Sequence, residues 1–128
     1  MSEKKPTILI VDDIKSNRDV LRIILEKAGY TTLEAEDGEE GVSVARNPEV
    51  KLVLMDINMP NMDGLESTKL IKKKRPNLPV VSVTAVPLEE VIPQGRAVGI
   101  EIFIKKPVKR DNILETVRME LLAHADDS

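Results

Sequence analysis

Asp12 and Asp13 close one short apolar run, Asp56 closes another, Thr84 ends a further one, and Lys105-Lys106-Pro107 follows the last. Taken singly these residues are ordinary. An acidic pair after a strand commonly forms a solvated turn or a helix cap, and Asp13 could serve in that way beside a helix N-terminus. A threonine ending a strand reflects β-propensity, and a lysine beside a proline is ordinary surface charge. Taken together they suit one task. Three carboxylates at one place repel unless a cation joins them. An all-oxygen cluster that keeps waters favours Mg²⁺ over zinc or copper. A carboxylate nucleophile needs the negative charge of a phosphoryl target neutralised, and Mg²⁺, a lysine ammonium and a hydroxyl donor would each hold one phosphoryl oxygen. The demands of phosphoryl transfer are mainly electrostatics and alignment.

The elements between these residues decide whether they meet. β-branched and leucine-rich runs recur at Thr7 to Val11, Thr31 to Ala35, Leu52 to Asp56, Val80 to Thr84 and Ile100 to Ile104, each bounded by Gly, Pro, Asp or Asn, and read as buried strands. Helix-length segments separate them. Ser16 to Ala28 repeats Val20, Leu21, Ile24, Leu25 and Ala28 at helical spacing before Gly29. Gly38 to Arg46, Leu65 to Lys74 and Arg110 to about His124 supply further helices, and Ala125 to Ser128 reads as a frayed polar tail. Lysines at 72–74 lie where a helix dipole is negative. Strict β-α alternation implies a parallel sheet with helices on both faces, a doubly wound α/β sandwich. In such sheets chemistry gathers beyond the carboxyl ends of the strands, where all the candidate residues fall.

Composition narrows the alternatives. The chain has 128 residues, 41% of them hydrophobic, which suits one compact domain over 1–128 with an ordered core of about 6–124. With 19 basic and 22 acidic residues its net charge is -3, so the overall field attracts neither nucleic acid nor anionic membrane. Cysteine is absent, which excludes disulfides and thiolate chemistry. No apolar run approaches a membrane span, and a cytoplasmic location is expected. Tyr30 and Phe103 are the only aromatic residues, too few for a base-stacking platform.

The chain resembles the receiver domain of two-component response regulators, the family that includes the single-domain chemotaxis regulator. The likeness rests on Ile8-Leu9-Ile10-Val11-Asp12-Asp13, on Leu54-Met55-Asp56-Ile57-Asn58-Met59-Pro60 running into Met62-Asp63-Gly64, on Thr84-Ala85, and on Phe103 ahead of Lys106-Pro107. It implies a (βα)5 flavodoxin-like fold with strand order 2-1-3-4-5. It further implies Asp56 as phosphoacceptor, and Mg²⁺ held by Asp12 or Asp13 with Asp56 and the backbone carbonyl of Asn58. Thr84 would hydrogen-bond the phosphoryl group, and Lys106, before a cis Pro107, would pair with one of its oxygens. The implied partners are a histidine kinase or histidine phosphotransfer protein as donor and a downstream protein target. The chain would be a signalling switch that catalyses only its own phosphorylation and dephosphorylation.

Two features depart from the family. Phe103 stands at the switch position commonly held by Tyr, so packing alone must control its rotamer; the alternative is a core phenylalanine on an edge strand. The stretch from Val86 to Gly99 contains Pro87, Pro93 and Gly95, and a proline inside a helix costs about 3 kcal/mol. A short fourth helix beginning near Pro93, after an irregular loop from Pro87 to Ile92, is expected. The basic groups Lys72 to Arg75 and Lys109-Arg110 read as solvated helix ends, and His124 receives no role.

Two other classes fit less well. A hydrolase acting through an aspartyl-phosphate would carry a second aspartate two residues after Asp56, where Asn58 stands. A flavin or nucleotide binder would carry a glycine-rich loop after the first strand, where Asp12 and Asp13 stand. Within the switch reading, a free-standing regulator suits the two ends slightly better than a receiver piece of a longer regulator or hybrid kinase.

Overall fold

The computed structural model describes residues 5–124. The tail expected at 125–128 lies outside the described residues. Strands β1 (Thr7–Val11), β2 (Thr31–Ala35), β3 (Val50–Met55), β4 (Val80–Thr84) and β5 (Ile102–Lys105) alternate with helices α1 (Lys15–Lys27), α2 (Gly38–Val44), α3 (Gly64–Lys74), α4 (Leu88–Ala97) and α5 (Arg110–Ala123). The sheet is parallel with order β2-β1-β3-β4-β5, as expected. Strand bounds at Thr7–Val11, Thr31–Ala35 and Val80–Thr84 are those read from the sequence. β3 instead begins at Val50 and stops at Met55, so Asp56 lies just past the strand, and β5 is shifted toward Lys105.

Alternation along the strands divides the core. Leu9, Val11, Val53, Met55 and Val80 face one layer, which α2, α3 and α4 cover through Ala45, Ile71 and Val91. Ile8, Ile10, Leu52, Leu54, Val81 and Val83 face the other, covered by Leu21 and Leu25 of α1 and by Ile113 and Val117 of α5. Because both faces of the sheet are buried, the central strands are almost wholly apolar, and the helices carry the polarity.

The fourth helix corrects the sequence reading. α4 starts at Leu88, directly after Pro87 at its N-cap, and runs through Pro93 without a break. Pro93 removes one intrahelical bond, but the residue is exposed on the solvent side of the helix, so its ring displaces no core contact. The inward side is anchored by buried Val91 and Gly95. The helix begins earlier because Pro87 holds the extended conformation that precedes a helix, and its carbonyl accepts from Glu90 N–H at 3.0 Å and Val91 N–H at 3.2 Å.

Candidate functional site

At the carboxyl edge of the sheet, backbone bonds lash the strand ends to one another. Asp56 N–H donates to the carbonyl of Val11 at 2.9 Å, and Lys106 N–H donates to the carbonyl of Thr84 at 2.8 Å. Asp12, Asp13 and Asp56 thereby converge, each offering a carboxylate oxygen within 4.8 Å of the others. Asp12 and Asp56 are buried, whereas Asp13 is exposed at the rim. Lys106, 94 residues along the chain from Asp12, donates to Asp12 Oδ2 at 2.8 Å. Its ammonium also lies 3.6 Å from Asp56 Oδ1. The Lys106–Pro107 peptide is cis.

The loops that carry these groups are fixed locally. Asp12 Oδ1 accepts from the backbone N–H of Ile14 at 2.9 Å, so Asp12, not Asp13, braces the entrance to α1. After Asp56 the chain turns through Asn61, whose φ of 67° is a left-handed conformation that asparagine tolerates. Gly64 N–H then donates to the carbonyl of Ile57 at 2.9 Å, and Asp63 caps α3 by accepting from Glu66 N–H at 2.9 Å. Gly64 is required there because a Cβ would run into the backbone of Asp56 and Ile57.

Burial is the main cause that raises the carboxyl of Asp56 from 3.8 to about 6; Lys106 opposes the rise, and the negative charges of Asp12 and Asp13 add to it. One ammonium among three carboxylates leaves the cluster with surplus negative charge. Thr84 is fully buried at the end of β4. Its Oγ1 accepts from Val86 N–H at 3.0 Å, and its own hydroxyl proton has no acceptor among the described residues.

The model of the response regulator receiver domain matches residues 8–118. The chain belongs to the response regulator receiver family. It is 36% identical over 120 residues to the polar-differentiation response regulator DivK of Brucella ovis, covering 90% of this chain and 95% of that protein. It is 37% identical over 119 residues to the CAI-1 autoinducer sensor kinase/phosphatase CqsS of Vibrio cholerae, covering 91% of this chain. The match spans only 17% of that kinase's length. The structure superposes on a chain of the CheX-CheY-BeF3-Mg complex from Borrelia burgdorferi with a TM-score of 0.84 at 32% identity, covering 89% of this chain and 87% of that one. The receiver is a signalling switch, and its acidic pocket is the place where domains of this family bind Mg²⁺.

Among the residues singled out from sequence, this receiver brings Asp12, Asp13, Asp56 and Lys106 into one cluster. Asn58 is exposed in the loop beyond Asp56 and lines a shallow groove with Val86 and Glu90. Phe103 is half-buried against the layer that contains Val91. Its ring lies directly on Gly95 of α4, where a Cβ would collide with it.

Two contributors escaped the sequence reading. Arg18, although charged, is buried, and its Nη1 donates to the backbone carbonyl of Asp12 at 2.7 Å while Nε donates to Glu34 Oε1 at 2.9 Å. It struts the acidic loop from beneath. The available signal was its place three residues before Leu21 and seven before Leu25, on the buried stripe of α1. Gly95, read from the sequence only as a residue that weakens a helix, is the second: the approach of the distant Phe103 ring gives it its role.

Proposed function

We propose that Asp56 accepts a phosphoryl group from a histidine kinase or histidine phosphotransfer protein, and that the loaded receiver presents a changed surface to a downstream protein. The observation that carries this reading is the buried carboxylate of Asp56 grouped with Asp12 and Asp13 under a lysine that reaches two of the three. Hard oxygen donors, with neither sulfur nor imidazole in the cluster and with surplus negative charge, fit Mg²⁺. Asp12, Asp13, Asp56 and the backbone carbonyl of Asn58 would hold it, and when bound it supplies positive charge against the phosphoryl oxygens. The similar Borrelia complex is one with Mg and BeF3, which supports the same occupancy here.

In the transfer, a carboxylate oxygen of Asp56 bonds to phosphorus, the phosphorus–nitrogen bond of the phosphohistidine breaks, and the imidazole nitrogen keeps the electron pair. Lys106 exchanges its carboxylate partners for a phosphoryl oxygen, and the uncommitted proton of Thr84 turns to another. Drawing the Thr84 hydroxyl toward the phosphoryl group frees space into which the Phe103 ring swings. Asn58 in place of a second aspartate leaves no acid/base group for turnover of outside substrates, so catalysis is limited to the receiver's own phosphorylation and dephosphorylation. The whole chain acts as one receiver unit, in the cytoplasm where such donors work, with no direct contact to nucleic acid or membrane. None of the helices in the described residues is long and apolar enough to cross a membrane.

The test is intact mass after incubation with Mg²⁺ and acetyl phosphate. The parent gains one phosphoryl group and Asp56→Asn gains none; equal labelling of the two removes Asp56 as acceptor.

A further inference from the structure

The edge of the sheet opposite the acidic cluster holds a cavity of about 550 Å³, a size typical of sites for small ligands. Pro6 just ahead of β1, Lys51 near the start of β3 and Pro79 just ahead of β4 line it, so it opens at the amino ends of the central strands. Lys51 and Asp56 are five residues apart along one extended segment, which separates this cavity from the acceptor by roughly 17 Å. Nothing in the phosphoryl chemistry uses it.

The walls and the charges point in one direction. Pro48, Pro76 and Leu121 add apolar surface, and the prolines hold the loops before β3 and β4 with little freedom to collapse inward. Arg75 and Lys51 also line the cavity, and none of its lining residues is acidic. Arg75 Nη1 donates to the carbonyls of Ala45 and Asn47, both at 3.0 Å, which pins the guanidinium in place. Its Nε and Nη2 have no partner among the described residues, and neither Arg75 nor Lys51 forms an ion pair there. Partial burial lowers the pKa of Arg75. A fixed fork of free N–H donors beside apolar walls is what a carboxylate on an apolar body would fill.

We propose that this cavity is a second ligand site, taking a small amphipathic carboxylate whose head pairs with Arg75 and Lys51 and whose apolar body lies along the proline walls.

Octanoate, with octanol as its neutral counterpart, provides the probe, read by amide chemical shifts of the full chain. Octanoate is expected to give saturable shifts over 49–51, 75, 77–78 and 121–124, and octanol to bind at least about tenfold more weakly, the worth of one charge-assisted hydrogen bond. Lys51→Gln should weaken octanoate by about three- to tenfold and leave octanol unchanged; because Arg75 also supports the loop after α2, Lys51 is the variant that isolates the charge. Equal binding of octanol, shifts confined to the acidic pole, or no saturable shift up to about 10 mM would overturn the proposal.

Discussion

Replacing the acceptor should stabilise the fold, and by an amount that depends on pH. The carboxyl of Asp56 lies at about 6 in the folded chain against 3.8 ordinarily. Between these values the folded state binds the proton that the unfolded state has released, so the stability of the metal-free protein falls as pH rises from about 4 to about 6 and levels off above. The gap between 3.8 and about 6 corresponds to a ceiling of about 3 kcal/mol, and water at the mouth of the site reduces this to about 1–2 kcal/mol. Asp56→Asn cannot ionise and escapes that cost. In a chain of this length the gain at pH 7.5 should appear as a rise in Tm of about 4–8 °C, shrinking to a degree or two near pH 4. Thermal unfolding followed by circular dichroism in chelator, at several pH values, measures it. Mg²⁺ should narrow the gap at pH 7.5 by stabilising the parent more than the variant. A Tm difference that stays the same from pH 4 to pH 7.5 would refute the reasoning, because the variant would then be acting through packing.

Other substitutions probe the supports of the site. Lys106→Met removes the positive charge that opposes the rise at Asp56, so that carboxyl should titrate still higher, visible in carboxyl carbon shifts of the metal-free protein. Arg18→Met should cost about 1–3 kcal/mol in urea unfolding, because the buried carbonyl of Asp12 loses a charge-assisted donor. Gly64→Ala forces backbone apart beside Asp56 and should cost more than about 2 kcal/mol, with phosphorylation by acetyl phosphate slowed. Gly95→Ala should cost about 1–3 kcal/mol by displacing the Phe103 ring, and combining it with Phe103→Leu should lose less than the sum of the two changes.

The order of strands and helices was legible because a parallel sheet covered on both faces writes itself as separate apolar runs. The runs at Thr7–Val11, Thr31–Ala35 and Val80–Thr84 are bounded by residues that stop strands, and their limits hold in the structure. The acidic cluster was legible for a related reason: polar groups that end buried strands of one sheet must share an edge. Helix α4 was not. Local propensity puts the start of the helix near Pro93, whereas in the fold it starts at Leu88, Pro93 is on the exposed side and the buried side of the helix rests on Val91 and Gly95.

What the sequence alone determined is therefore the set of elements and the residues available for chemistry, since both follow from patterns within a few neighbours. The tertiary structure decided how those residues behave. Only packing could place Arg18 beneath Asp12, make Gly64 and Gly95 close-approach positions, and bury Asp56 deeply enough to raise its carboxyl to about 6. Charge, burial and steric fit at this site depend on groups as much as 94 residues apart, as Lys106 and Asp12 are, and such distances carry no local signature in the chain.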